Sequence, residues 1–129
     1  MIIGQLAIKK IALQKVVVYS SSDKLQRNID LNNIVTTNKL NEQTVYLYGH
    51  YTQIKNLVLN RIYELKKKDL ITITTETNTL EYQITAWGII KKQEIKKLEG
   101  LDKSVIILTC TKDFKKDYYY YFKAIKRGQ

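Results

Sequence analysis

The sequence has no proline and only five glycines in 129 residues, so the usual punctuation of a chain is nearly missing. It also lacks linkers, repeats and low-complexity blocks, which leaves one domain as the simple reading. A single cysteine, Cys110, excludes an internal disulfide. A lone thiol fits the cytosol, and equally a surface protein that keeps it for chemistry. One cysteine and one histidine, His50, cannot close a tetrahedral zinc site. Gly-rich phosphate loops and paired-carboxylate motifs are absent too. No apolar run approaches the roughly 18–20 residues of a membrane span. No signal-peptide pattern precedes the first strand-like segment. Acidic residues are scarce: 12 Asp and Glu stand against 22 Lys and Arg, a formal charge of +10. That balance suits polyanionic surroundings such as nucleic acid, anionic lipid or an acidic cell wall. Only Arg27, Arg61 and Arg127 are arginines, so the lysine excess looks like compositional bias as much as a binding patch.

What is present is apolar and β-branched. Hydrophobic residues make up 44% of the chain, enough for a real core and too much for disorder. Met1–Ile11 reads as a strand and a short link, and "KVVVY" at Lys15–Tyr19 as a second strand. Ser21 or Ser22 is placed to cap a short helix around Asp23–Asn28. Asn32–Thr37 reads as a weak strand. In Thr44–His50, Val45, Leu47 and Gly49 alternate with Thr44, Tyr46, Tyr48 and His50. Leu57, Val58, Ile62 and Leu65 have helical spacing. Further strands are expected at Leu70–Thr75, Leu80–Trp87, Ser104–Cys110 and Tyr118–Ile125, with Gly88–Lys103 a charged connection, helical around Gln93–Glu99. The five glycines are expected near strand ends or turns. The sum is a mainly β barrel or sandwich with one or two short helices.

Two side chains could do chemistry. Cysteine is among the most buried residue types, so Cys110 reads first as a small core residue. Against that, it ends its apolar run and is followed by "TKDFKK", whose lysines would favour a thiolate. His50 also ends a strand. One Cys and one His at strand ends are the minimum pair for thiol catalysis. "YYYY" at Tyr118–Tyr121, beside lysines, offers stacking for single-stranded nucleic acid. The plainer reading is a strand with Tyr119 and Tyr121 on one face and Tyr118 and Tyr120 on the other.

These pieces together resemble the sortases, cysteine transpeptidases of Gram-positive bacteria. "SVIILTC" resembles the family's TLxTC signature, with Leu108, Thr109 and Cys110 matching and Ile106 at the usual threonine. "VYLYGH" resembles the strand that delivers the family histidine. "RIYELKKKDLITI" resembles the passage through a KxGD-like turn, with Lys68 in place of glycine. "GQLAIKKIALQKVVV" resembles the opening strands, with Lys15 where proline is usual, and "FKAIK" the closing one. The similarity spans nearly the whole chain in order and spacing.

The resemblance implies a single-domain, closed eight-stranded β-barrel over residues 1–129. It implies a thioester acyl transfer in which Cys110 is the nucleophile and His50 the acid and base. Leu108 and Thr109 would contact substrate. The implied partners are an LPxTG-like sorting signal of a surface protein or pilin, and an amine from peptidoglycan or a pilin lysine. No cofactor, metal or nucleic acid is implied. The implied location is the outer face of the cytoplasmic membrane or the cell surface, held by an anchor not present in this sequence. Tyr51 follows the histidine where Arg or Asn is usual. Taking Ala124 as the alanine of the closing strand, Tyr119 stands at the family arginine, which contacts substrate and oxyanion. Arg127 lies roughly 26 Å further along an extended strand. Three readings follow: Tyr119 does a weaker version of the job; Lys112, Lys115 or Lys116 steps in; or the protein is an impaired, peptide-binding sortase. A basic β-barrel that binds nucleic acid is the remaining alternative.

Overall fold

A computed structural model describes residues 1–51, 59–111 and 116–128. Eight strands follow one another: β1 (Ile2–Ile8), β2 (Leu13–Tyr19), β3 (Ile34–Thr36), β4 (Thr44–Tyr48), β5 (Leu70–Thr74), β6 (Thr79–Lys91), β7 (Ser104–Cys110) and β8 (Tyr118–Lys126). They close into a barrel in the order β1-β2-β3-β4-β7-β8-β6-β5. Closure leaves no sheet edge unpaired, which suits a chain so rich in β-branched residues.

Two apolar layers explain the sequence pattern. The barrel interior is filled from every strand, with Leu6, Val17, Ile34, Leu47, Ile71, Tyr82, Val105, Ile107 and Phe122 buried together. A second cluster lies on the outer face of β3, β4, β7 and β8, where Val35, Tyr48, Ile106 and Leu108 pack with Ile29. Ile29 belongs to the one α-helix among the described residues, α1 (Leu25–Asp30). The 3-10 turn Lys92–Leu98 closes the same face with Ile95 and Leu98. β7 is therefore covered on both sides, and its six residues before Cys110 are all buried. This is why "SVIILTC" reads as a continuous apolar run rather than an alternation.

Several expectations shift in detail. α1 is as long as expected but starts two residues later, and follows a 3-10 turn at Ser22–Lys24. Ser21 holds the N-cap position of that turn without a side-chain capping bond. Of the helical spacing at Leu57–Leu65, residues 57 and 58 lie outside the described residues. The remainder forms a 3-10 turn at Ile62–Glu64, with Ile62 and Leu65 buried. β6 runs through Gly88 to Lys91, so Gly88 is no strand end. A Cβ there would sit 3.2 Å from the Tyr121 ring on the neighbouring strand, so glycine lets that ring lie flat on the sheet. Gly4 likewise lies inside β1, at a register shift against β2.

Candidate active site

The site follows from one pairing. β4 and β7 are neighbours and run parallel, in register from Thr44↔Ser104 to Tyr48↔Leu108. Parallel strands end at the same side of a sheet. The Gly49 N–H donates to the Leu108 carbonyl at 3.1 Å and carries the ladder one step further. His50 is the next residue, and Cys110 closes β7 two residues beyond Leu108. The two residues that the sequence marked thus leave the sheet from adjacent strands at one end.

Each has a defined setting. Cys110 is partly exposed, while Thr109 and Thr111 on either side are 1% exposed. A tyrosine of the Ile62–Glu64 turn holds its main chain: the Tyr63 hydroxyl donates to the Cys110 carbonyl at 2.9 Å. His50 is partly buried, and its Nδ1 is buried without a hydrogen-bond partner among the described residues. Its carbonyl accepts from the Leu59 N–H at 3.4 Å. The Gly49 position is tight, since a Cβ there would meet Leu59 Cδ1 at 2.5 Å and Ile34 Cδ1 at 3.0 Å.

Tyr119 faces Cys110 across the antiparallel β7–β8 ladder. Its ring packs edge-on against Tyr48, with centroids 5.8 Å apart. Burial pushes its phenol up to about 12, with the neighbouring Tyr48 and Cys110 adding to the shift. The phenol is therefore a neutral donor at any ordinary pH. Leu108 and Thr109 are buried, at 0% and 1% exposure, so they offer packing rather than open surface. Tyr119 and Tyr121 share the outer cluster, while Tyr120 packs against the barrel interior, as the alternation of β8 predicts.

Arg127 pairs with Glu81 at 2.9 Å, and Arg61 makes two bonds to Glu64 at 2.8 and 2.9 Å. Lys116 is exposed, and Lys112 and Lys115 lie outside the described residues. A cation that the sequence reading did not single out approaches Tyr119. The Lys92 ammonium lies 4.9 Å from the centroid of the Tyr119 ring. A lysine within a lysine-rich stretch gives no pattern by which to single it out.

The family model for the sortase domain matches residues 6–125. The chain belongs to the sortase family. Its fold is that of sortase A of Listeria monocytogenes, with a TM-score of 0.82 at 19% identity over 98% of this chain and 88% of that one. The Clostridium perfringens sortase D5 transpeptidase is similar at 28% identity and a TM-score of 0.77, over 98% of this chain and 79% of that one. A pilus-related sortase C of Group B Streptococcus matches with a TM-score of 0.82 at 16% identity, over 98% and 68%. No curated protein sequence matches the chain. On β8 a tyrosine pairs with the strand-end cysteine, at the position where the family resemblance leads one to expect arginine. No described helix of this sortase is long and apolar enough to cross a membrane.

Proposed function

We propose that residues 1–129 act as one catalytic domain, a cysteine transpeptidase for an LPxTG-like sorting signal. The Cys110 thiolate attacks the carbonyl carbon of the Thr–Gly bond. The C–N bond breaks, His50 protonates the leaving amine, and a thioester remains on Cys110. An amine of peptidoglycan or of a pilin lysine then attacks the thioester. His50 takes the proton of that amine, the C–S bond breaks and the thiolate returns. Tyr119 donates to the substrate or to the forming oxyanion as a neutral group, where arginine would offer a charged fork. Leu108 and Thr109 contribute through the strand end they hold. The reading places the enzyme at the outer surface of a Gram-positive cell, as for the family.

The observation that carries the proposal is the parallel β4–β7 pair, with His50 and Cys110 leaving adjacent strands at one end. Its test is transfer itself. The protein is mixed with LPxTG-like peptides and triglycine beside Cys110→Ala, and products are read by mass spectrometry. A Cys110-dependent transfer product is expected. Absence of both acyl-enzyme and product across several sorting motifs would overturn the reading. One observation favours a second reading, a sortase fold that holds sorting signals without turnover: Tyr119 has no charge to give. In that case the peptide binds, and Tyr119→Arg brings turnover.

A further inference from the structure

Lys92 opens the turn that follows β6. Its main-chain N–H donates to the Asp117 carbonyl at 2.9 Å, which fixes it beside the start of β8. Its ammonium lies over the Tyr119 ring at 4.9 Å from the centroid, within the range where the ring quadrupole attracts a cation. The acids of the same turn are engaged elsewhere. Glu94 pairs with Lys97 at 3.2 Å, and Glu99 accepts a hydrogen bond from the Tyr46 hydroxyl. Lys92 itself has no carboxylate partner among the described residues. The titratable groups that face Tyr119 from the neighbouring strands are Tyr48 on β4 and Cys110 on β7. A positive charge with no carboxylate partner among the described residues thus stands over the ring of Tyr119, the residue that pairs with Cys110 across the β7–β8 ladder.

We infer that Lys92 is a positioning residue of the Cys110 site: its ammonium clamps the Tyr119 ring and supplies the positive charge that the tyrosine lacks. This rests on Cys110 being the nucleophile. A fixed cation in a partly buried setting stabilises negative charge as it forms on sulfur, and then on the carbonyl oxygen. The work of one charged side chain on β8 is divided here. Tyr119 gives the donor, and Lys92, from the turn behind it, gives the charge.

The test uses iodoacetamide, a neutral reagent whose rate follows the thiolate fraction of Cys110. It needs no sorting signal, so its outcome stands apart from that of the transfer assay. Wild type, Lys92→Met and Lys92→Arg are alkylated across pH 5–10, and folding of each is checked by thermal melting. Lys92→Met is expected to slow alkylation near neutral pH about three- to tenfold, the effect of one nearby charge. Lys92→Arg is expected to follow wild type. A folded Lys92→Met that overlays wild type would overturn the inference. So would a Lys92→Arg profile as slow as that of Lys92→Met, since the effect would then not be one of charge.

Discussion

The hydroxyl of Tyr63 donates a 2.9 Å hydrogen bond to the carbonyl of Cys110. It ties the turn after β4 to the end of β7, across the mouth of the barrel. The Tyr63 ring is itself fixed edge-on between Tyr51 and Tyr120, with centroids at 4.8 and 4.5 Å. Tyr63→Phe keeps the ring and removes the bond. It should cost about 1 kcal/mol of stability, seen as a melting temperature lower by about 3–5 °C. Acyl-enzyme formation should slow more than this loss of stability explains, because the strand end that carries the thiol is freed. An unchanged acylation rate would show that β7 holds Cys110 unaided.

Gly49 precedes His50 and has no room for a side chain. A methyl group there would overlap Leu59 Cδ1, at 2.5 Å. Leu59 is fully buried and can yield little. Gly49→Ala should destabilise by about 1–3 kcal/mol and lower acyl transfer by moving His50. Urea unfolding with a parallel activity assay checks both. A variant as stable as wild type would mean that Leu59 finds another rotamer at no cost.

Lys68 has φ +78°, the left-handed region that suits glycine. It stands in the turn before β5, where the resemblance to a KxGD-like turn leads one to expect glycine. Its N–H donates to the Ile84 carbonyl at 2.9 Å, so the turn is held in place despite the lysine. Lys68→Gly relieves about 1–2 kcal/mol of backbone strain, against about 0.5–1 kcal/mol of added chain entropy. A net gain of about 0.5–1 kcal/mol is expected in urea unfolding. A loss of stability would refute this account of the turn.

Burial raises the phenols of Tyr48, Tyr82, Tyr119 and Tyr120 from their ordinary value of 10, Tyr119 to about 12. Above pH 10 the unfolded chain loses these protons while the folded chain keeps them. Stability is therefore whole below pH 10 and falls as pH rises toward 12. Denaturant unfolding at pH 9 and pH 11 measures the fall. Tyr119→Phe should lessen it, and an identical fall in that variant would remove Tyr119 from the cause.

The barrel was legible because its strands announce themselves. Cys110 and His50 stood out as single residues of their kinds at the ends of apolar runs, and β7 and β4 end at those residues or within two of them. What was hidden depends on contacts between distant segments. Gly88 looked like a turn because glycine usually marks one, yet it lies mid-strand under the Tyr121 ring. Tyr63 looked like one residue of an amphipathic helix, and its bond to Cys110 spans 47 positions of sequence. Lys92 was one lysine in a charged stretch. Its meaning comes from the ring beneath it, which the sequence places far downstream.

The parallel pairing of β4 with β7 also sets when the site can exist. Nothing local holds His50 near Cys110; they share a neighbourhood only through strands that meet after a long excursion of chain. Tyr119 arrives later still, with β8. Closing such non-local ladders is slow, and little of it is rewarded before the barrel is complete. A chain still being made, with β8 not yet released, would carry the thiol without Tyr119 across the ladder from it.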